Sequence, residues 1–169
     1  MNGSMNAIYF YDGSGKEAIK QGITVDFPSS VISQVLEVEE PVRFFYCAEQ
    51  CLRFVAVPVT LNNAETGVIV VGREMRDIIL EFNHQTGRDI GLALQPFDSV
   101  KETRLRRLEL KYLTKKSENL ALLDTLIDEQ AISSDGGLYE LNVNNRYYQI
   151  LLKPPEGAMP GWAYWILIE

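Results

Sequence analysis

Histidine, cysteine and long apolar runs are scarce in this chain of 169 residues. Its one histidine, His84, and its two cysteines, Cys47 and Cys51, are too few and too far apart for a structural zinc site. No stretch approaches the roughly 20 apolar residues that a membrane-spanning helix needs. The sequence therefore predicts neither a metal centre nor a membrane span of its own.

Positive charge is also in short supply. The 16 lysines and arginines are outnumbered by 23 aspartates and glutamates, which gives a net charge of −7. Binding to a phosphate backbone needs a basic face, so nucleic acid is not an expected partner. Hydrophobic residues at 46% and charged residues at 23% are typical of a soluble folded protein, here one domain or two small lobes.

The motifs of common enzymes are missing as well. The sequence contains no P-loop, no G-x-G-x-x-G, no H-E-x-x-H and no G-x-S-x-G. A cysteine–histidine mechanism would have to use His84, which is predicted to lie on the polar face of a helix. The segment 12–15 lacks the alternating oxygen ligands of a calcium loop and is predicted to be a turn. We therefore expect a protein that is not an enzyme and that needs no cofactor.

Apolar periodicity predicts an α+β fold. Antiparallel hairpins with helices between them favour this class over a doubly wound parallel sheet. The predicted strands cover 8–11, 16–24, 52–59, 67–72, 89–96, 138–143, 146–152 and 162–168. The predicted helices carry their apolar residues at 31–36, at 75–82 and, after a cap at Ser117, at 120–127.

The segment 100–116 is locally basic and has two interpretations. Alternation of Leu108, Leu110 and Tyr112 with charged residues favours a half-exposed strand, whereas the spacing of Leu105, Leu108 and Tyr112 leaves a helix as the alternative. Its charges are expected to form a solvated face paired with nearby glutamates, with an anionic ligand or lipid headgroups as the other candidates.

A weak internal repeat predicts two related halves. Two groups of segments match in the same order, and each half would consist of a strand, a helical excursion and a hairpin. The first match pairs 7–14 with 90–99, and the second pairs the hairpin 54–59 and 67–71 with the hairpin 148–154 and 161–167.

The two cysteines give a conditional prediction. In an extended strand the Cα atoms of Cys47 and Cys51 would lie about 13 Å apart, which is too far for a disulfide. In a helical turn or a tight loop they would be about 6 Å apart, so an oxidised pair requires residues 47–51 to turn. A structural disulfide in an oxidising compartment is the leading interpretation, and two buried free thiols or a reversible redox switch are the alternatives.

A family resemblance is carried by three segments. They are Cys47-Ala-Glu-Gln-Cys51-Leu-Arg-Phe-Val-Ala-Val-Pro58-Val, Gly67-Val-Ile-Val-Val-Gly72-Arg-Glu-Met-Arg-Asp77-Ile-Ile-Leu-Glu-Phe82, and Thr86-Gly-Arg-Asp-Ile-Gly91. This pattern resembles the periplasmic sensor regions of Cache type, which are PAS-like and lie ahead of diguanylate cyclase (GGDEF) and phosphodiesterase (EAL) domains in bacterial receptors. Residues 110–114, 139–141 and 147–152 resemble the membrane-proximal half of such regions.

The resemblance implies PAS-like antiparallel sheets with flanking helices in two lobes. Residues 7–87 would form the membrane-distal lobe and connecting helix, and residues 88–169 the membrane-proximal lobe. Residues 1–6 are expected to be vector-derived or to mark the boundary of the fragment, and the chain is expected to be a fragment of an inner-membrane receptor. Transmembrane helices would flank it, a cytoplasmic domain would control cyclic-di-GMP turnover, and the receptor would be a homodimer that binds a small molecule.

The residues around the cysteines are the predicted ligand site. A PAS-like sheet cups a ligand beneath its helical excursion, and Arg43, Tyr46 and Arg53 flank the cysteine turn. They would present cationic and aromatic groups to a small anion, although salt bridges to the surplus acidic residues also explain the arginines. Two other functions remain open: a periplasmic module that docks a partner protein without a ligand, and a cytosolic regulatory domain or enzyme.

Overall fold

The computed structural model describes residues 5–25, 29–60, 65–95, 104–105, 108–130, 132–133, 135–156 and 163–169. Within these ranges the chain forms three helices, two five-stranded antiparallel sheets and one two-stranded sheet. The predicted class, PAS-like antiparallel sheets with flanking helices in two lobes, is confirmed. No helix in the described ranges has both the length and the apolar character to cross a bilayer.

The chain divides into two compact units, Met1–Asp77 and Ile78–Glu169. The division falls inside the helix that covers Met75–Thr86. The boundary between residues 87 and 88 that the resemblance implies lies just after that helix and stays a prediction.

The first unit is a five-stranded sheet with one helix, α1 (Ser29–Val38), packed on it. Its strands run in the order β2-β1-β5-β4-β3. They are β1 (Ala7–Tyr11), β2 (Glu17–Gly22), β3 (Val42–Cys47), β4 (Cys51–Thr60) and β5 (Thr66–Glu74). Strand β1 alternates buried and half-buried residues, and α1 buries Ile32 and Val35 at helical spacing, so the apolar pattern of each element places its buried face in one core.

Phe54 lies at the centre of this first core. Its ring stacks on Phe44 at a centroid distance of 5.0 Å, and it is fully buried. On the neighbouring strand, a Cβ atom at Gly72 would lie 2.3 Å from Cε1 of Phe54. Gly72 therefore leaves the space that the Phe54 ring occupies.

The second unit is also a five-stranded antiparallel sheet with a helix packed on it. It contains α3 (Lys116–Glu129) and a sheet in the order β10-β11-β12-β6-β8, and α2 (Met75–Thr86) leads into it. The strands are β6 (Asp89–Leu94), β7 (Arg104–Leu105), β8 (Glu109–Leu113), β9 (Ile132–Ser133), β10 (Gly137–Val143), β11 (Arg146–Lys153) and β12 (Ala163–Ile168). Its core packs Leu123 and Leu126 of α3 against Ile150 and Ile166 of the sheet.

The internal repeat is confirmed by the topology. If the five strands of each sheet are numbered along the chain, and the second sheet is followed from β8 to β10, both sheets have the order second, first, fifth, fourth, third. Under this equivalence β1 corresponds to β6, β4 to β11 and β5 to β12, which are the strands that the sequence matches had aligned. The two units are therefore related structures, and positions in one have counterparts in the other.

Three details differ from expectation or resolve an alternative. Ser117 does not cap α3, because the N-cap is Lys115 in a left-handed conformation (φ 42°) without a side-chain cap bond. Strand β3 was not predicted, although it supplies the edge of the first sheet. Residues 109–113 form strand β8 as expected, so the helical alternative is wrong there, while 100–103 and 106–107 lie outside the described residues.

Candidate functional site

A disulfide closes the hairpin between β3 and β4. Cys47 and Cys51 are partners in the strand register, and their Cα atoms lie 4.0 Å apart. The three residues 48–50 form the loop, in which the amide of Ala48 donates to the carbonyl oxygen of Gln50 over 3.1 Å. The chain turns at 47–51, which is the geometry that an oxidised pair requires.

A groove of about 410 Å³ lies beside this hairpin, within the first unit. One wall is the hairpin itself and the other is the short segment that follows β2. The residues that line it are Ile23, Thr24, Val25, Tyr46, Ala48, Glu49, Gln50 and Leu52. Clefts of about this size are a common location for small-molecule sites.

The wall after β2 is positioned by Tyr9. The phenol of this fully buried residue donates a hydrogen bond to the carbonyl oxygen of Ile23 (2.7 Å) and accepts one from the amide of Val25 (2.8 Å). Burial raises the pKa of Tyr9, so the phenol keeps its proton at neutral pH. The amide of Ile23 donates to the carbonyl oxygen of Asn6 over 2.8 Å, and the segment is thus anchored at both ends.

The floor of the groove is apolar and its rim is polar. Val25 and Leu52 are buried members of the first core, and Ile23 and Tyr46 pack against that core. At the rim, the exposed Glu49 is the one charged side chain among the described lining residues. The arrangement suits a small molecule with an apolar body and a cationic group.

The structure separates the three predicted ligand residues. Tyr46 is opposite Leu52 in the register, faces the core and lines the groove. Arg53 is opposite Phe45, so Arg53 and Arg43 lie on the other face of the sheet. Neither arginine lines the groove, and a ligand role for them stays a prediction.

The sequence interpretation missed the wall at 23–25. Thr24 and Val25 carry no charge and no recognisable motif, and their position depends on the buried hydroxyl of Tyr9. The sequence signal that pointed to this region was the cysteine pair, which marks the opposite wall.

The second unit has a groove of about 440 Å³ at the equivalent place, beside the β10–β11 hairpin and the segment after β8. Its floor includes Leu122 and Ile168, which are buried in the second core. Its rim is charged, and there Nζ of Lys115 contacts Oδ2 of Asp89 at 3.1 Å. These two grooves differ in chemistry, because the one beside the β3–β4 hairpin is lined by a single charged residue and the one beside the β10–β11 hairpin by several.

The segment 12–15 is a turn, as predicted. Oδ1 of Asp12 accepts hydrogen bonds from the amide of Ser14 (2.9 Å), the hydroxyl of Ser14 (2.6 Å) and the amide of Lys16 (3.0 Å). The bond from the Ser14 hydroxyl is the main reason that the pKa of Asp12 is lowered. Among the described residues, no group of three or more His, Cys, Asp or Glu side chains is arranged to hold a metal ion.

No family model and no curated protein matches the sequence. Solved structures do match it. The ligand-binding domain of the Pseudomonas aeruginosa amino-acid chemoreceptor PctC, in complex with GABA, is 12% identical with a TM-score of 0.47, over 97% of this chain and 74% of that one. The ligand-binding domain of the Pseudomonas fluorescens chemoreceptor CtaA, with L-leucine, is 13% identical with a TM-score of 0.47, over 98% and 70%.

A domain of a sensory box/GGDEF family protein from Vibrio parahaemolyticus is 13% identical with a TM-score of 0.41, over 97% of this chain and 71% of that one. Two of these proteins are described as chemoreceptors and the third as a sensory box protein. At this identity and these TM-scores, their ligands and outputs do not transfer to this chain.

Proposed function

We propose that the chain is a non-catalytic, extracytoplasmic sensor domain of a transmembrane receptor, and that its ligand binds in the groove of the first unit. The observation that carries this proposal is the construction of the groove. One wall is fixed by the Cys47–Cys51 disulfide and the other by two hydrogen bonds to Tyr9. A preformed concave site with fixed walls lowers the entropic cost of binding a small ligand.

The ligand is a small molecule with an apolar body and an amine. Leu52, Val25 and Tyr46 offer apolar and aromatic surface, and Glu49 offers the complementary charge. This differs from the anion expected from Arg43 and Arg53, because those two side chains lie on the opposite face of the sheet.

An oxidising compartment is supported by the disulfide, since such bonds persist outside the cytosol. In this proposal membrane-spanning helices flank the domain, two copies associate in the receptor, and the output controls cyclic-di-GMP turnover. A ligand shifts such a receptor only by its difference in affinity between two arrangements, so a binding site is necessary for signalling but does not by itself produce it.

A thermal-shift screen tests the ligand role. The purified chain is heated with carboxylates, amines, nucleotides and polyamines, and we expect an amine to raise the unfolding midpoint, because a ligand saturating the native state at 100 times its Kd adds about 2.7 kcal/mol. Glu49→Gln should weaken the binding of that amine roughly two- to fivefold, because an exposed ion pair contributes about that much to affinity. Glu118→Gln, in the groove of the second unit, is the matched control and should leave its affinity unchanged.

Silence across all four compound classes would contradict the ligand role. So would a midpoint shift that responds to Glu118→Gln and not to Glu49→Gln.

A protein-docking function has one observation in its favour. On the β10–β11 hairpin, Leu138 and Leu151 are cross-strand partners that are 59% and 36% exposed. Tyr147, at the other end of the hairpin beyond the polar pair Glu140 and Gln149, is 58% exposed. Exposed apolar patches of this kind mark interaction surfaces when they are large and contiguous. A silent ligand screen together with self-association that Leu138→Glu abolishes would favour docking over ligand sensing.

A further inference from the structure

The disulfide hairpin forms most of one wall of the groove. The three loop residues 48–50, which the Cys47–Cys51 bond encloses, all line it. Tyr46 and Leu52, which flank the two cysteines, complete this wall. The crosslink therefore acts directly on the shape of the groove.

The two cysteine residues differ in exposure. Cys51 is fully buried, whereas Cys47 is half-buried at the end of β3, next to an exposed loop. The fold therefore favours attack of a thiol in solution on Cys47 over attack on Cys51.

We propose that the Cys47–Cys51 bond is a reversible modification site for a dithiol, and that its reduction opens the groove. A thiolate of the dithiol forms a mixed disulfide with Cys47 and displaces Cys51 as a thiolate, which takes up a proton. The second thiol of the reductant then loses its proton and attacks the first sulfur of the reductant, which is bonded to Cys47. Cys47 is released as a thiolate and takes up a proton. The two cysteines gain two electrons and two protons, and the dithiol becomes a disulfide.

The effect reaches the opposite wall through the core. Leu52 and Val25 are buried in the same cluster, and Tyr46 and Ile23 pack against it. When the hairpin is no longer crosslinked, the packing of this cluster loosens and the Tyr9 hydrogen bonds that hold Ile23 and Val25 open more often, because core contacts transmit strain. In the receptor, the groove is then a joint sensor of a ligand and of the thiol redox state, a regulation that rests on the proposed ligand role.

Hydrogen exchange read by mass spectrometry tests this without any ligand. The full chain is compared before and after treatment with dithiothreitol, with reduction confirmed by the appearance of two free thiols. The amide of Val25 is the reporter, because it is hydrogen-bonded to Tyr9 across the groove from the disulfide. We expect reduction to raise its exchange rate roughly tenfold, together with exchange at 46–52.

Two controls sharpen the test. The β10–β11 hairpin of the second unit, at 143–148, contains no cysteine and should keep its exchange rate. The double variant Cys47→Ala/Cys51→Ala should show the raised exchange permanently and should not respond to dithiothreitol. If this variant does not fold, the comparison of oxidised and reduced wild-type chain decides the question alone.

Raised exchange confined to 48–50, or a bond that dithiothreitol reduces only in denaturant, would overturn the proposal. A ligand that raises the unfolding midpoint equally in oxidised and reduced chain would overturn it and leave the ligand role standing. A silent ligand screen together with raised exchange at Val25 would overturn the ligand role and leave the redox site standing.

Discussion

The phenol of Tyr9 lies in the core of the first unit and holds two backbone groups that belong to a loop. The loop could not keep its position by packing alone, since Thr24 is exposed and only Val25 is buried. A buried tyrosine usually finds a partner for its hydroxyl, and here the partners are the carbonyl of Ile23 and the amide of Val25. The shape of the groove therefore depends on the hydroxyl group of Tyr9, which does not itself line the groove.

Tyr9→Phe tests this dependence. The change should lower the free energy of unfolding by about 1–3 kcal/mol, because the buried amide of Val25 loses its acceptor. Urea denaturation measures the loss. Tyr11→Phe is the matched control, since the hydroxyl of Tyr11 has a long bond of 3.4 Å to Glu17. Equal losses in the two variants would contradict the special role of Tyr9.

The two hairpins show why one was predictable and the other was not. The β10–β11 loop is Asn144-Asn145, with φ angles of 52° and 61°, and asparagine tolerates this left-handed region. Both strands were predicted to within one residue of their bounds. The β3–β4 loop is Ala-Glu-Gln, which has no turn residue, and a disulfide closes it. Its geometry is set by a covalent bond rather than by a turn residue, and strand β3 was therefore not predicted.

Substitution at Asn145 tests the backbone account of the β10–β11 hairpin. Asn145→Ala should destabilise the chain by about 1 kcal/mol, because alanine has a Cβ atom but no short polar side chain to stabilise the left-handed conformation. Asn145→Gly should be neutral or stabilising, since glycine adopts this conformation freely. Thermal unfolding of the three proteins provides the measurement. An alanine variant as stable as the glycine variant would show that the backbone angle does not matter there.

At the scale of the whole molecule, hairpins with helices between them were enough to predict the α+β class and the antiparallel strands, and the repeated segments predicted the related halves. The equivalent strands β5 and β12 both alternate buried and half-buried residues along most of their length, and they therefore look alike in the sequence. The groove was not predictable in the same way. It joins the segment 23–25 to 46–52, which lie apart in the sequence, and the phase of β3 and β4 places Tyr46 in it and Arg43 and Arg53 outside.

The central claim is that the groove of the first unit binds a small molecule. An NMR titration of the isotope-labelled chain, with the compound that gives the largest midpoint shift, tests it most directly. The account predicts saturable shift changes at the amides of Thr24, Val25, Gln50 and Leu52. Saturable changes confined to residues 115–122 and 143–148, at the groove of the second unit, would contradict it.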